Sequence, residues 1–401
     1  MSKMEINDTV NTDNADIEYS YRSNTAMVLP GGGARAAYQV GVLKARAEIH
    51  GKRPGNPFPI LAGTSAGGIN AVSLAAGAHH FAGTVEKLEL LWRGLSTDKI
   101  YRADFFGVLR NAIRLAISLF SGGSSASKPV ALLDNSPLRE ILEQHLSFEN
   151  IGRNILNGDL DALCLTAMNY TQGMSETFFQ GGPQYAGWQR WRRQGLATPI
   201  QLQHLMASTA IPTIFPPAKL GRNYYGDGAL RQLTPISPVI HLGANRVLVI
   251  PANGHKRQYP KLPQEIKSPG FGQIIGHLLN SAFIDSIETD IERLERINEL
   301  VRIIPDEDRG MMGKELLPID CLVISPSEDI DRIADEHVNE LPRSLRMFLR
   351  RTGSTGNSGG GVSIASYLLF TPEYCGKLID LGYRDGIAQR AELEAFLYRS
   401  K

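Results

Sequence analysis

This sequence predicts an α/β fold: a central, mostly parallel sheet flanked by helices. Short apolar runs recur along the chain, each ends in a turn signal, and helix-period stretches alternate with them. The length of 401 residues allows one large domain or two ordinary ones. A chain of that size buries ~75% of its unfolded surface and needs no disulfide or metal staple.

Residues 1–24 are polar, mildly acidic and without an apolar core, and they read as a disordered tail. The first strand is expected over Thr25–Pro30 (TAMVLP). A glycine-rich turn follows, and then a helix with Tyr38, Val42 and Ala45, and Val40, Leu43 and Ala47, at helical spacings. PFPILA, GTSAGG and INAVSLAAGA repeat the strand, turn and helix order over residues 57–78. The runs DALCLTAM, NRVLVIPA and CLVISPS read as further buried strands.

Residues 98–135 break this rhythm and read as a helical insertion. Phe105–Phe120 is nearly all apolar, with Arg110, Asn111, Arg114 and Ser118 on one narrow helical face. Two readings stand: a core-facing helix of an inserted subdomain, or a lid that covers an acyl pocket or dips into a lipid surface. Residues 121–129 (SGGSSASKP) read as a linker and 352–361 as a loop. Ile284, Ile287, Ile291 and Leu294 mark a long surface helix, with a homodimer seam as the lesser reading. A catalytic domain is expected over 25–255, with a mainly helical region, 256–401, packed on it.

Lys and Arg number 42 against 41 Asp and Glu, for a net +1, which leaves no footprint for nucleic acid. Cys164, Cys321 and Cys375 are scattered, form no CxxC pair and read as buried thiols of a reducing compartment. With no secretory signal and no spanning segment, the expected location is cytoplasmic, with transient peripheral membrane contact left open.

Three motifs carry chemistry. Gly63-Thr64-Ser65-Ala66-Gly67 matches G-x-S-x-G between a strand and a helix, the setting of a nucleophile elbow. Ser65 would project at a helix N-terminus, where partial positive charge favours a developing anion. Gly31-Gly32-Gly33-Ala34-Arg35 ends the first strand, and its consecutive amides can converge on an anion. No Gly-Lys-Ser/Thr follows, which excludes a Walker loop. No acidic residue stands near the end of a second strand about twenty positions on, which weighs against a dinucleotide fingerprint. An oxyanion hole for Ser65 fits best. Gly226-Asp227-Gly228 supplies a carboxylate that could serve a serine as base. His241, His255, His277 and His337 follow Asp227, but none lies in a recognisable motif, so a dyad without histidine is preferred.

These motifs in this order resemble the patatin-like phospholipase family, together with Ala207-Ser208-Thr209-Ala210-Ile211-Pro212, similar to its A-S-x-A-x-P stretch. The resemblance implies a modified α/β-hydrolase fold and a Ser65–Asp227 dyad. It also implies an oxyanion hole at Gly31, Gly32 and Gly33, with Arg35 stabilising the loop or its anion. Gly63 and Gly67 are the small residues of the elbow. Many members have glycine where Ala36 stands. The implied substrate is a phospholipid, lysophospholipid or other acyl ester, cleaved through an acyl-enzyme. No cofactor or metal is implied, and calcium independence is expected. A non-lipid esterase or acyltransferase using the same dyad, and a catalytically idle binding protein, are the alternatives.

Overall fold

The computed structural model describes residues 24–51, 55–120, 131–254, 286–305, 317–351 and 364–398, together with positions 274 and 281. The tail at 1–23, the linker at 121–129, the loop at 352–361, His255, His277 and Ile284 lie outside the described residues.

The described strands form one ten-stranded sheet. Its strands are β1 (Thr25–Leu29), β2 (Ile60–Thr64), β3 (Ala162–Asn169), β4 (Met174–Gly181), β5 (Trp188–Arg190), β6 (Arg193–Ala197), β7 (Ala218–Leu220), β8 (Asn223–Asp227), β9 (Arg246–Val249) and β10 (Asp320–Val323). The order runs β10-β9-β1-β2-β3-β4-β6-β5, and β8 also pairs with β3. The five strands from β10 to β3 are parallel. Beyond β3 the pairing turns mixed, with β4 and β8 antiparallel to it. Buried parallel strands carry apolar residues on both faces, as β1 and β2 do.

One face is covered by α1 (Ala37–His50), α2 (Ala66–Ala76), α3 (Phe81–Arg93) and the C-terminal helix Pro372–Ala388, which share a continuous core. The other face is closed by Ser237–His241 and Ser286–Ile303, through Val239, Ile287, Ile291 and Leu294. The predicted surface helix therefore packs on the sheet.

The expected boundary at 255 does not separate two structural units. Strand β10 comes from the C-terminal region and extends the sheet beside β9, with Cys321 opposite Val247. Tyr374, Leu378 and Ile379 of the last third are fully buried in the same core as Tyr38 and Leu43 of α1.

The insertion begins with Thr97–Ile100 and continues as α5 (Phe105–Phe120). Helix α5 meets the core along one side and turns an apolar stripe outward along another. Val108 is buried and Ala112 half-buried, while Phe106, Leu109, Ile113 and Ile117 face outward.

Candidate active site

Parallel neighbours end at the same edge of a sheet, so β1 and β2 deliver their following turns side by side. Gly31–Gly33 leave β1 there, and Ser65 leaves β2. Ser65 has φ 54 and ψ −131, a conformation that non-glycine residues rarely adopt. The strained turn lets the chain pass from Thr64 directly into α2. Gly63 and Gly67 meet this turn's crowding: a Cβ on Gly63 would press on Gly68, and one on Gly67 on the carbonyls of Leu29 and Pro30.

Strand β8 brings Asp227 to the same edge. Asp227 lies opposite Ala167 of β3, and the preceding Thr166 lies opposite Thr64 of β2. Ser65 is 2% exposed and Asp227 fully buried. Asp227 Oδ1 accepts from the Ala229 amide at 3.0 Å. Its Oδ2 lacks a hydrogen bond of full geometry. The Ser65 hydroxyl nonetheless stands close enough to act on the carboxyl as a donor. Such loose alignment is common in unliganded sites.

Burial pushes the Asp227 carboxyl up to about 7, against the smaller downward pull of the Ser65 hydroxyl and the Ala229 amide. The carboxyl is thereby held well above the ordinary aspartate range. If Asp227 acts as the base, activity should fall about tenfold per unit below pH ~7. That acid limb should survive His204→Gln and His241→Gln, because no histidine produces it. A pH–rate profile of these variants checks the expectation; loss of the limb in either would assign it to imidazole.

The described histidines serve other purposes. His204 Nδ1 accepts from the Gln201 amide in a capping box of the helix Leu202–Ser208. His241 Nδ1 contacts the Ser237 carbonyl at 2.9 Å and packs on Trp188. His337 pairs with Glu340.

The segment Ala207–Pro212 braces both candidate residues. Ser208 Oγ accepts from the Ser65 amide at 2.9 Å and donates to the Thr166 carbonyl at 2.7 Å. The Ala210 carbonyl accepts from the Asp227 amide at 2.8 Å. Thr64, Gln232 and Thr166 form a further side-chain chain beneath them. The motif flagged this segment, but the roles of Ser208 and Gln232 carried no separate signal.

The glycine loop turns into a short 3-10 helix, Gly33–Ala36, whose Arg35 amide bonds back to the Gly32 carbonyl at 3.1 Å. The amides ahead of that bond precede the first helical hydrogen bond, as orphan donors at a helix start do. Arg35 is 1% exposed and points into the C-terminal region. Its Nε donates to Ser366 Oγ (2.9 Å) and its Nη2 to Asp331 Oδ1 (2.6 Å), while Nη1 donates to Asn253 Oδ1. The guanidinium also lies over the Tyr367 ring, 4.2 Å from its centroid. A buried cation needs such partners. These contacts tie the residue that follows the glycine turn to Asn253, Asp331, Ser366 and Tyr367.

The edge thus joins a serine on a strained elbow, a buried carboxylate and a glycine turn. Residues 27–240 match the family model for patatin-like phospholipase. The chain belongs to the patatin-like phospholipase family. This patatin-like chain has no match among curated proteins. Among solved structures, VipD from Legionella pneumophila is similar over 94% of this chain and 89% of its own, at 12% identity and a TM-score of 0.27. No helix among the described residues is long and apolar enough to cross a membrane. No described group of three or more His, Cys, Asp or Glu could hold a metal ion.

Proposed function

We propose that this patatin-like chain is a serine acyl hydrolase that releases ester-linked fatty acids from phospholipids or lysophospholipids. The observation that carries the reading is the buried Ser65–Asp227 pair, with the serine hydroxyl within reach of the carboxyl and the glycine turn on the neighbouring strand.

Asp227 takes the Ser65 proton as Oγ attacks the ester carbonyl. The amides of Gly31 to Gly33 hold the oxyanion, each well-placed donor contributing ~3 kcal/mol in the transition state. The C–O bond then breaks, the proton passes from Asp227 to the departing alcohol, and an acyl-enzyme remains. Asp227 next takes a proton from water, whose oxygen attacks the acyl carbon. As the fatty acid leaves, that proton returns to Ser65. Burial suits the carboxyl to this shuttle, because a base titrating near the working pH both accepts and returns a proton readily.

The test is fatty-acid release from mixed phospholipid liposomes, followed by mass spectrometry, for wild type and Ser65→Ala. Release that requires Ser65 is expected, together with fluorophosphonate labelling of the wild type alone. Equal release from both proteins would refute the assignment.

A further inference from the structure

Helix α5 carries apolar side chains on its outward side as well as on its inward one. Its inward side carries Val108, Ala112 and the amide of Asn111, whose Nδ2 donates to the Leu132 carbonyl at 3.3 Å. Its outward side carries Phe106 (82% exposed), Leu109 (48%), Ile113 (51%) and Ile117 (56%). Their 3-4-4 spacing makes one stripe along the helix, ~16 Å long at the usual rise per residue. Arg110 and Arg114 are exposed beside it, and neither pairs with an acidic group among the described residues. No acidic residue occurs in Phe105–Phe120. The helix Arg343–Arg351 packs against α5 and adds exposed Arg343 and Met347 and half-buried Arg346.

We propose that this stripe docks the protein on the headgroup region of an anionic phospholipid bilayer. The choice of that surface rests on the acyl-hydrolase reading, and the charge pattern supports it independently. Apolar side chains would enter the acyl boundary while the arginines at the rim reach lipid phosphates. A second copy of the chain suits the face poorly, because a two-fold contact brings like-charged arginine rims together.

The helix is also tied to the candidate site. Leu132, which receives the Asn111 bond, donates its amide to the Thr213 carbonyl at 2.8 Å, and the Leu133 amide bonds to Ile214 at 2.8 Å. Thr213 directly follows Ala207–Pro212, the segment that holds Ser65 and Asp227. A bilayer seated on α5 would therefore lie two linked segments from the dyad.

The test uses full-length Ser65→Ala protein, which consumes no lipid, and sucrose-loaded vesicles of phosphatidylcholine alone or mixed with phosphatidylglycerol. Sedimentation with the mixed vesicles is expected to fall about tenfold or more in Phe106→Asp/Ile113→Asp. Arg110→Glu/Arg114→Glu should lose the preference for phosphatidylglycerol, as should wild type at high salt. With Ser65 restored, both variants should unfold thermally like wild type and hydrolyse a soluble short-chain ester at its rate. Unchanged sedimentation of the double aspartate variant would overturn the proposal. So would a wild type that ignores both vesicle types, or a wild-type dimer dispersed by Ile113→Asp. Failure of soluble-ester hydrolysis in wild type would instead strike the acyl-hydrolase reading, and leaves the vesicle result to be judged by itself.

Discussion

Asp227→Asn should abolish ester hydrolysis, by ~10⁴-fold or more, and should also stabilise the fold above pH 7. The first effect follows from removing the base while keeping its shape. An amide cannot take the Ser65 proton, and no described histidine stands ready to replace it. The second follows from where the carboxyl is buried. Its pKa is raised from 3.8 to about 7 in the folded protein. A carboxyl raised in this way favours folding fully below its unfolded pKa and loses that contribution as pH climbs through the folded one. At pH 8 the wild type must hold a charge in a dry site, at a cost of up to ~4 kcal/mol. Asparagine carries no such charge. Melting temperatures should therefore coincide near pH 3.5, diverge between about pH 4 and pH 7, and stay fully separated at pH 8, with the variant higher. A variant that melts at or below wild type at both pH 3.5 and pH 8 would show that Asp227 is not held against its own ionisation.

Gly33→Ala should cost ~10³-fold in turnover of a soluble ester, because the change deforms the glycine turn rather than the dyad. Gly33 has φ +56, where an L side chain is strained, and its added Cβ would overlap the backbone carbonyl of Tyr367. That carbonyl is fixed: Tyr367 is buried and the neighbouring Ser366 is bonded to Arg35. The loop must yield, and its amides then miss the oxyanion. Gly243→Ala separates strain from collision. Its φ is +84, yet nothing lies within 4 Å of the added Cβ. It should lose about 1 kcal/mol of stability and keep full turnover. Similar turnover in the two variants would remove the glycine turn from catalysis.

Much of the site was legible because its motifs are local. A strand, a tight turn and a helix occupy consecutive residues around Ser65, so small residues at 63 and 67 mark the turn in any context. The alternation of apolar runs and helical periods likewise foretold the parallel half of the sheet. Three things were not legible. Amphipathic spacing in Phe105–Phe120 announces an apolar face but not the side to which the chain turns it; the Asn111 bond to Leu132 decides that. The basicity of Asp227 depends on burial by segments far from it in sequence, so an isolated D-G pair suggests an ordinary carboxylate. Ser366 and Asp331, which hold Arg35, sit in no motif, and only the folded chain brings them to it.

The clamp on Arg35 has a consequence for the order in which the candidate site is assembled. The glycine turn lies near the beginning of the chain, and the groups that seat it, Asp331, Ser366 and Tyr367, lie near the end. Ser65 leaves the ribosome roughly 15–60 s before Tyr367 at common translation rates. Through that interval the nascent chain holds Ser65 without the anchor of the neighbouring glycine turn. On the acyl-hydrolase reading, competence would wait on the emergence of Asp331, Ser366 and Tyr367, long after the serine itself has been made.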